Sequence, residues 1–393
     1  MKVDRNGNVT QQTYWQLEAN AQNQTQSEER NTETFEALLI ESVKRRMHAD
    51  TEVGCCVSGG LDSSAVFSIM KKLEPSLTIQ TFTARIRDKR LDEGPYVATL
   101  LQHLPAQNHE AWVDEGLLIQ SLDDVLVHQE EPVADLTVLA QAALMKRAAQ
   151  EKIKVLLDGQ GADEMLAGYD YFYHPFLREQ FKKGLSAYRE AMNDYHEKHG
   201  RNYKLDSVFY FDLLAPRLRR ALSNARRHAI TPPYLRYLNP TFASTYKNDE
   251  PPFPRFGTLQ EALHYRTTRY GLHKLLRYAD RNGMASGVEV RFPFLYHRLV
   301  EFVFSLPVDY KIHRGWTKYV LRKSMEHKLP PAINWRTDKL GYQVPGNTWM
   351  QHPKVIEMVR DAQHTLARHK MVRPDAKLNQ REASSVLIAS RFV

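Results

Sequence analysis

Val53 to Ser64 reads VGCCVSGGLDSS, and this stretch constrains the fold more tightly than any other. An apolar run (Val53, Cys55, Cys56, Val57) breaks into Ser58-Gly59-Gly60, and Leu61-Asp62-Ser63-Ser64 then opens an amphipathic run. That is the order of a buried strand, a tight turn and a helix start. Two adjacent glycines let the backbone approach a ligand with no Cβ in the way. The helix start adds unpaired amides and the positive end of its dipole, so the turn suits phosphate. Ser58 and Ser63 contribute hydroxyls. Asp62 sets a carboxylate beside that phosphate, an arrangement that makes sense with Mg2+ between them. The bland alternative is a glycine turn leading into a helix, and the full SGGLDSS after an apolar strand weighs against it.

No G-x-x-x-x-G-K-[ST] occurs and no lysine follows the glycines, so this is not a Walker loop. It resembles instead the SGGxDS loop of the ATP pyrophosphatases, which cleave ATP between the α and β phosphates.

The residues up to 33 are polar, with QNQTQSEERN at residues 22–31, and read as an arm without helical or strand period. Tyr14-Trp15 is the exception, expected to tack the arm onto the core by two rings. From Thr34, Phe35, Leu38, Leu39 and Val43 share one helical face. After the glycine turn a helix is expected to Pro75, then a strand over Leu77–Ile86 and a helix opened by Asp92-Glu93, where carboxylates suit the dipole. A short strand near Glu110–Val113, a helix through Leu136, Leu139, Ala143 and Arg147, and a strand over Lys154–Leu157 follow. Strands alternating with helices imply a doubly wound parallel α/β sheet with its ligand site at the strands' carboxyl ends. Residues 34–170 would form that nucleotide-binding region.

The last of these strands runs into Asp158-Gly159-Gln160-Gly161-Ala162-Asp163-Glu164 and then LAGYDYF. Asp163 is a candidate magnesium ligand facing Asp62 across the cleft; a pair of helix-capping acids is the alternative reading. Residues 171–393 are rich in aromatic and basic side chains, show little strand-like alternation, and read as mostly helical. The proline clusters at 231–233 and 251–254 read as surface connections. Leu299, Val300, Phe302, Val303 and Leu306 mark a core helix, and nearby Asp280, Arg281, Glu289 and Arg291 fit either an ion-pair network or a substrate contact. Lys318, in GWTKYVLR, falls in the first turn of a helix. There it opposes the dipole unless an anionic ligand sits with it.

The formal charge of +8 raises the question of nucleic acid, but the basic residues are dispersed in short clusters such as Arg217–Arg220, and a diffuse positive balance also suits ATP and pyrophosphate. No apolar run is long enough for a bilayer, and MKVDRNGNVTQQTYWQ lacks the apolar core of a signal peptide. The only two cysteines, Cys55 and Cys56, are strand neighbours whose side chains point to opposite faces, which argues against a disulfide and a metal pair. A cytoplasmic location is the expectation.

SGGLDSS, LLDGQGADEMLAGYDYF, LLRYADRNGMA with VEVRFPFL, and GWTKYVLR stand in the order found in the synthetase domain of the glutamine-dependent asparagine synthetases, a resemblance covering about residues 12–350. It implies a fold of the adenine-nucleotide α-hydrolase-like, PP-loop type with a mostly helical second half. It implies ATP over Val57, Ser58, Gly59, Gly60, Asp62 and Ser63, with Ala84 reading adenine through its backbone and Asp158 and Gly159 also at the nucleotide. Mg2+ would lie on Asp62 and Asp163, and Lys318 would stabilise charge on the phosphates and on an acyl-adenylate. Aspartate would be activated at its side-chain carboxylate with release of diphosphate, and ammonia would give asparagine and AMP.

Gln160 stands where the family can have a glutamate proposed to take a proton from ammonia, and glutamine is no base at neutral pH. Pro293-Phe294-Leu295-Tyr296 stands where many relatives read PFLD, which leaves that contact open. The chain starts Met1-Lys2 and has no cysteine near its start, so the expectation is that it does not hydrolyse glutamine itself. Free ammonia and a separate glutaminase chain stay open as sources, as does a homodimer; no nucleic-acid or membrane partner is expected. Relatives that close a β-lactam or lasso-peptide ring with an internal amine, and a remnant without activity, are the alternatives.

Overall fold

The computed structural model describes residues 1–18, 26–205, 209–210, 236–246, 256–338 and 343–393. Both proline clusters and the basic runs at 217–220 and 226–227 lie outside the described residues. Five parallel strands form the central sheet: β3 (Val53–Cys56), β4 (Gln80–Ile86), β5 (Gln107–Val113), β6 (Val155–Leu157) and β7 (Glu289–Arg291). Their order is β5-β4-β3-β6-β7. The chain therefore builds outward from β3 to one side, then returns to lay β6 against its other side. The crevice between β3 and β6, at their carboxyl ends, is the point where such sheets take ligands.

β3 is buried at every position, as a central parallel strand covered on both faces should be. Cys55 packs with Val53 and Leu157 on one face, Cys56 with Phe82 and Leu156 on the other, and both thiols are free. Helices α1 (Glu28–Met47) and α2 (Leu61–Leu73) cover the first face. α5 (Thr137–Gln150) covers the second, with α4 (Glu115–Gln129) packed beside it. α3 (Gly94–His103) links β4 to β5.

Several local expectations shift. The N-terminal arm carries a small hairpin, β1 (Lys2–Val3) with β2 (Val9–Thr10). Only one of its two rings docks: Trp15 Nε1 donates to Glu301 at 2.6 Å, whereas Tyr14 is 99% exposed, and it is Leu17 that enters the core. α1 starts six residues before Thr34, because Ser27 caps it through the Arg30 amide. Glu93 is the N-cap residue of α3, so the pair opens that helix as expected, but the Glu93 side chain makes no cap hydrogen bond. Asp92 holds Arg85 at 2.9 Å and Glu93 holds Arg336 at 2.9 Å, tying loops together.

The second half is mostly helical but supplies the edge strand β7. Glu289 and Arg291 lie on it and pair at 2.8 Å, and Arg291 also donates to the carbonyls of Arg46 and His48 at the end of α1. Arg281 pairs with Glu130 at 2.6 Å. For Arg281, Glu289 and Arg291 the ion-pair reading is therefore the one the contacts support. Tyr296 packs on α1 and donates to Glu41 at 3.0 Å. β7 reaches the ligand edge through one further bond: the Asp158 amide donates to Arg291 O at 2.9 Å, extending the ladder past β6.

Candidate active site

A cleft of about 670 Å³ opens at the β3–β6 crevice. Ser58, Gly60, Asp62 and Ser63 line it from the loop after β3; Asp158, Gly159, Gln160 and Asp163 line it from the loop after β6; Lys318 comes in from the second half. Val57, Gly59 and Ala84 are not in the lining. Val57 is buried with its amide on Phe82 O, Gly59 backs onto Tyr96 of α3, and Ala84 sits within β4 opposite Ala111.

The turn is built as its sequence suggests. Gly59 has φ +70°, and a Cβ there would lie 2.5 Å from Tyr96 Cβ. The Gly60 amide donates to Ser58 Oγ and the Ser58 amide to Ser63 Oγ, each at 3.2 Å, so both hydroxyls brace the loop. No side chain caps α2. Its first amides are left for an anion.

Lys318 is the most informative side chain. It is the cap residue of the helix Tyr319–Ser324 with left-handed backbone (φ 54°), and its amide donates to Leu166 O at 3.0 Å. Its ammonium reaches Asp62 Oδ2 at 2.5 Å and Asp163 Oδ1 at 2.6 Å, joining the two loops. Burial alone would lower its pKa; the charges of Asp163 and Asp62 outweigh burial and hold it above the usual lysine value. Gly168 makes the pair sterically possible, since a Cβ there would fall 1.9 Å from Asp163 Oδ1 and 2.2 Å from Lys318 Cε.

Asp158 Oδ1 accepts the Gln160 amide at 3.1 Å, and Oδ2 is buried with no acceptor or donor partner among the described residues. Burial pushes its carboxyl up to about 6, assisted by the charge of Asp62 and opposed by the Gln160 and Gly159 amides. Gln160 lines the cleft with Oε1 likewise buried and unpartnered.

Arg322 and Arg336 of the cleft were not anticipated. Arg322 donates to Thr317 O at 2.8 Å and Asn334 O at 2.6 Å, and burial lowers its pKa to about 10 while Asp62 and Tyr173 pull it back. Its place four residues after Lys318, on the same helix face, is the signal that could have found it. Arg336 pairs with Glu93 and Asp338 and lies 3.7 Å over the Tyr96 ring; nothing in NWRTD marks it beforehand.

Among the described residues no group of three or more His, Cys, Asp or Glu is arranged to hold a metal. Two hard carboxylates converging on one cation, beside a phosphate-type loop, nonetheless fit magnesium, which takes one or two carboxylates with substrate phosphates and water. No described helix is long and apolar enough to cross a membrane.

The family model described as Asparagine synthase matches residues 34–384. A Mycobacterium tuberculosis protein provisionally named asparagine synthetase (glutamine-hydrolyzing) is 27% identical over 82% of this chain and 49% of its own length. Asparagine synthetase (glutamine-hydrolyzing) 1 of Bacillus subtilis is 25% identical over 90% of this chain and 56% of its own. A Penicillium rubens protein named Amidase chyE is 27% identical over 89% and 58%. The chain spans about half the length of these curated relatives.

Proposed function

The chain belongs to the asparagine synthase family, and from that premise we propose that it is an ATP-dependent amide-forming ligase acting on the side-chain carboxylate of aspartate. The observation that carries the reading is the Lys318 ammonium held by Asp62 and Asp163 beside the glycine turn. A carboxylate is a poor electrophile until one oxygen becomes a good leaving group. Its oxygen attacks the α-phosphorus of ATP, and the bond from that phosphorus to pyrophosphate breaks. The ammonia nitrogen then attacks the acyl carbon, and the carbon–oxygen bond to AMP breaks, giving asparagine.

The chain's own residues work mainly by positioning and charge. The α2 amides and the Gly59-Gly60 turn hold phosphate, and Lys318 offsets the negative charge that grows on leaving pyrophosphate and on the acyl-adenylate. Asp62 and Asp163 would hold magnesium, which supplies charge neutralisation on the polyphosphate when bound. Gln160 takes no proton; its amide oxygen accepts a hydrogen bond from the incoming nitrogen, and the proton leaves with the phosphate group. Ammonia arrives free or from a glutaminase, and the reading places the enzyme among soluble small-molecule ligases of the cytoplasm.

The test is pyrophosphate and AMP release from magnesium and ATP with aspartate, with and without ammonium, and mass analysis of the product. Asparagine formed with ammonium supports the reading, and Lys318→Met should cut kcat by about 10²–10³-fold with the fold intact by circular dichroism. Pyrophosphate without asparagine would replace aspartate or ammonia by another substrate. No pyrophosphate under any condition would overturn the adenylation.

A further inference from the structure

Arg336 lines the cleft on the α3 side of the glycine turn, 9% exposed. Its guanidinium is fixed from three directions. Tyr96 lies beneath it at 3.7 Å, Glu93 Oε1 holds Nη1 at 2.9 Å, and Asp338 Oδ1 holds Nε at 3.1 Å. Nη1 also approaches the Gly59 carbonyl at 3.5 Å, so the group touches the turn itself. Nη2 is different: it is buried and has no acceptor among the described residues. A buried cationic donor left without an acceptor is costly, and the partner it lacks must be an acceptor. An arginine edge already flattened on a ring is pre-shaped for two oxygens of one phosphate.

We infer that Arg336 binds the terminal phosphates of the nucleotide, the part that departs as pyrophosphate, and thereby selects triphosphate over monophosphate. This rests on the adenylation reading and adds to it a second cation. Lys318 meets the loop at Asp62, in the first turn of α2, and Arg336 meets it at Gly59, so the two bracket the turn. Asp338 has a defined part in this arrangement. Its side chain is 51% exposed, lines the cleft, and is shared between Arg336 and the Tyr96 hydroxyl at 3.0 Å, where it competes with phosphate for the arginine. Glu93, nearly buried, is the permanent anchor.

The experiment is calorimetric titration of the full chain, with magnesium, by pyrophosphate, orthophosphate, ATP and AMP. Wild type should bind ATP and pyrophosphate well above AMP and orthophosphate. Arg336→Met should weaken ATP and pyrophosphate about ten-fold or more and leave AMP within about two-fold, because one charge-assisted contact is lost at the phosphate end alone. Arg336→Lys keeps the charge and a partner for Glu93, so it should fold and weaken pyrophosphate to a smaller degree. Asp338→Asn removes the competing charge and should tighten pyrophosphate several-fold. The inference falls if both Arg336 variants keep the wild-type ATP-to-AMP ratio, if they lose all four ligands in proportion, or if Asp338→Asn binds pyrophosphate no tighter. Wild type that binds neither ATP nor pyrophosphate would overturn the adenylation reading along with it.

Discussion

Asp158 and Lys318 are both buried at one cleft, yet their charges act on stability with opposite sign. Asp158 has its carboxyl raised to about 6 by burial, against an ordinary 3.8. Between about pH 4 and 6 the unfolded chain has lost that proton and the folded chain keeps it, so stability falls as pH rises through this window. Above it the buried charge costs on the order of 3 kcal/mol. Asp158→Asn, which can still accept the Gln160 amide, should therefore be more stable than wild type at pH 7 by up to about 3 kcal/mol. The gain should shrink towards zero near pH 4, as read by urea unfolding of the ligand-free protein at pH 4, 5.5 and 7. A gain that persists at pH 4 would assign it to packing rather than to charge. Lys318 differs in that its charged form stabilises: its raised pKa means a favourable charge that is fully present below the usual lysine value and is lost as pH rises through the higher folded one, so stability falls with rising pH here too, in a far more alkaline window. Of these residues, Asp62 was legible in the glycine turn, and Asp163 and Lys318 chiefly through the motifs that the family resemblance singles out; the structure brings the three together at the cleft. Gly168 and Arg336 were not legible. Their roles depend on what lies opposite them in space, a side chain pair in one case and a ring with a carboxylate in the other.

Helix α1 is the element that joins the halves of the chain. Its buried face carries Phe35, Leu39 and Val43. Its polar side reaches far along the sequence: Glu36 holds Lys328 at 2.9 Å, Asn31 donates to Tyr310, and Ser42 donates to Pro293 O. Phe35 is fully buried, so Phe35→Ala should cost about 3–5 kcal/mol in denaturant unfolding. The larger end is expected because helices from both sides fix the walls of the hole and limit collapse. A loss under about 1 kcal/mol would mean that α1 re-seats freely. Its apolar period made α1 readable, and so were α2 and the strands β3 and β4, from a 3.6-residue stripe or a β-branched run ended by glycine or proline. β7 was missed for a physical reason. Three residues, Glu-Val-Arg, are too short for a period, and none of them is buried, so this edge strand carries no apolar run.

Residues 1–170 contain four of the five strands of the central sheet and both loops of the crevice, and their alternation alone suggests a unit that stands by itself. The packing argues otherwise. One apolar cluster runs from Leu17 and Phe35 through Phe67 to Phe294, Phe304, Val320 and Ile333. Without the second half, β6 becomes an edge with the amides and carbonyls of its β7 side unpaired. The buried faces of α1 and α2 would lose the helices that cover them, and Asp62 and Asp163 would lose Lys318 and keep their mutual repulsion. A fragment of residues 1–170 should therefore lack near-ultraviolet dichroism and melt without a sharp transition, whereas the whole chain should lose its near- and far-ultraviolet signals together at one midpoint. Two separated midpoints in the whole chain, or a fragment that unfolds cooperatively and binds pyrophosphate, would show that the crevice is organised by the first half alone. The expected outcome follows from the placement of one side chain. The lysine that joins the two loops arrives from more than 250 residues beyond the glycine turn, at a sequence separation of 256, so the site and the core that carries it are completed in the same step.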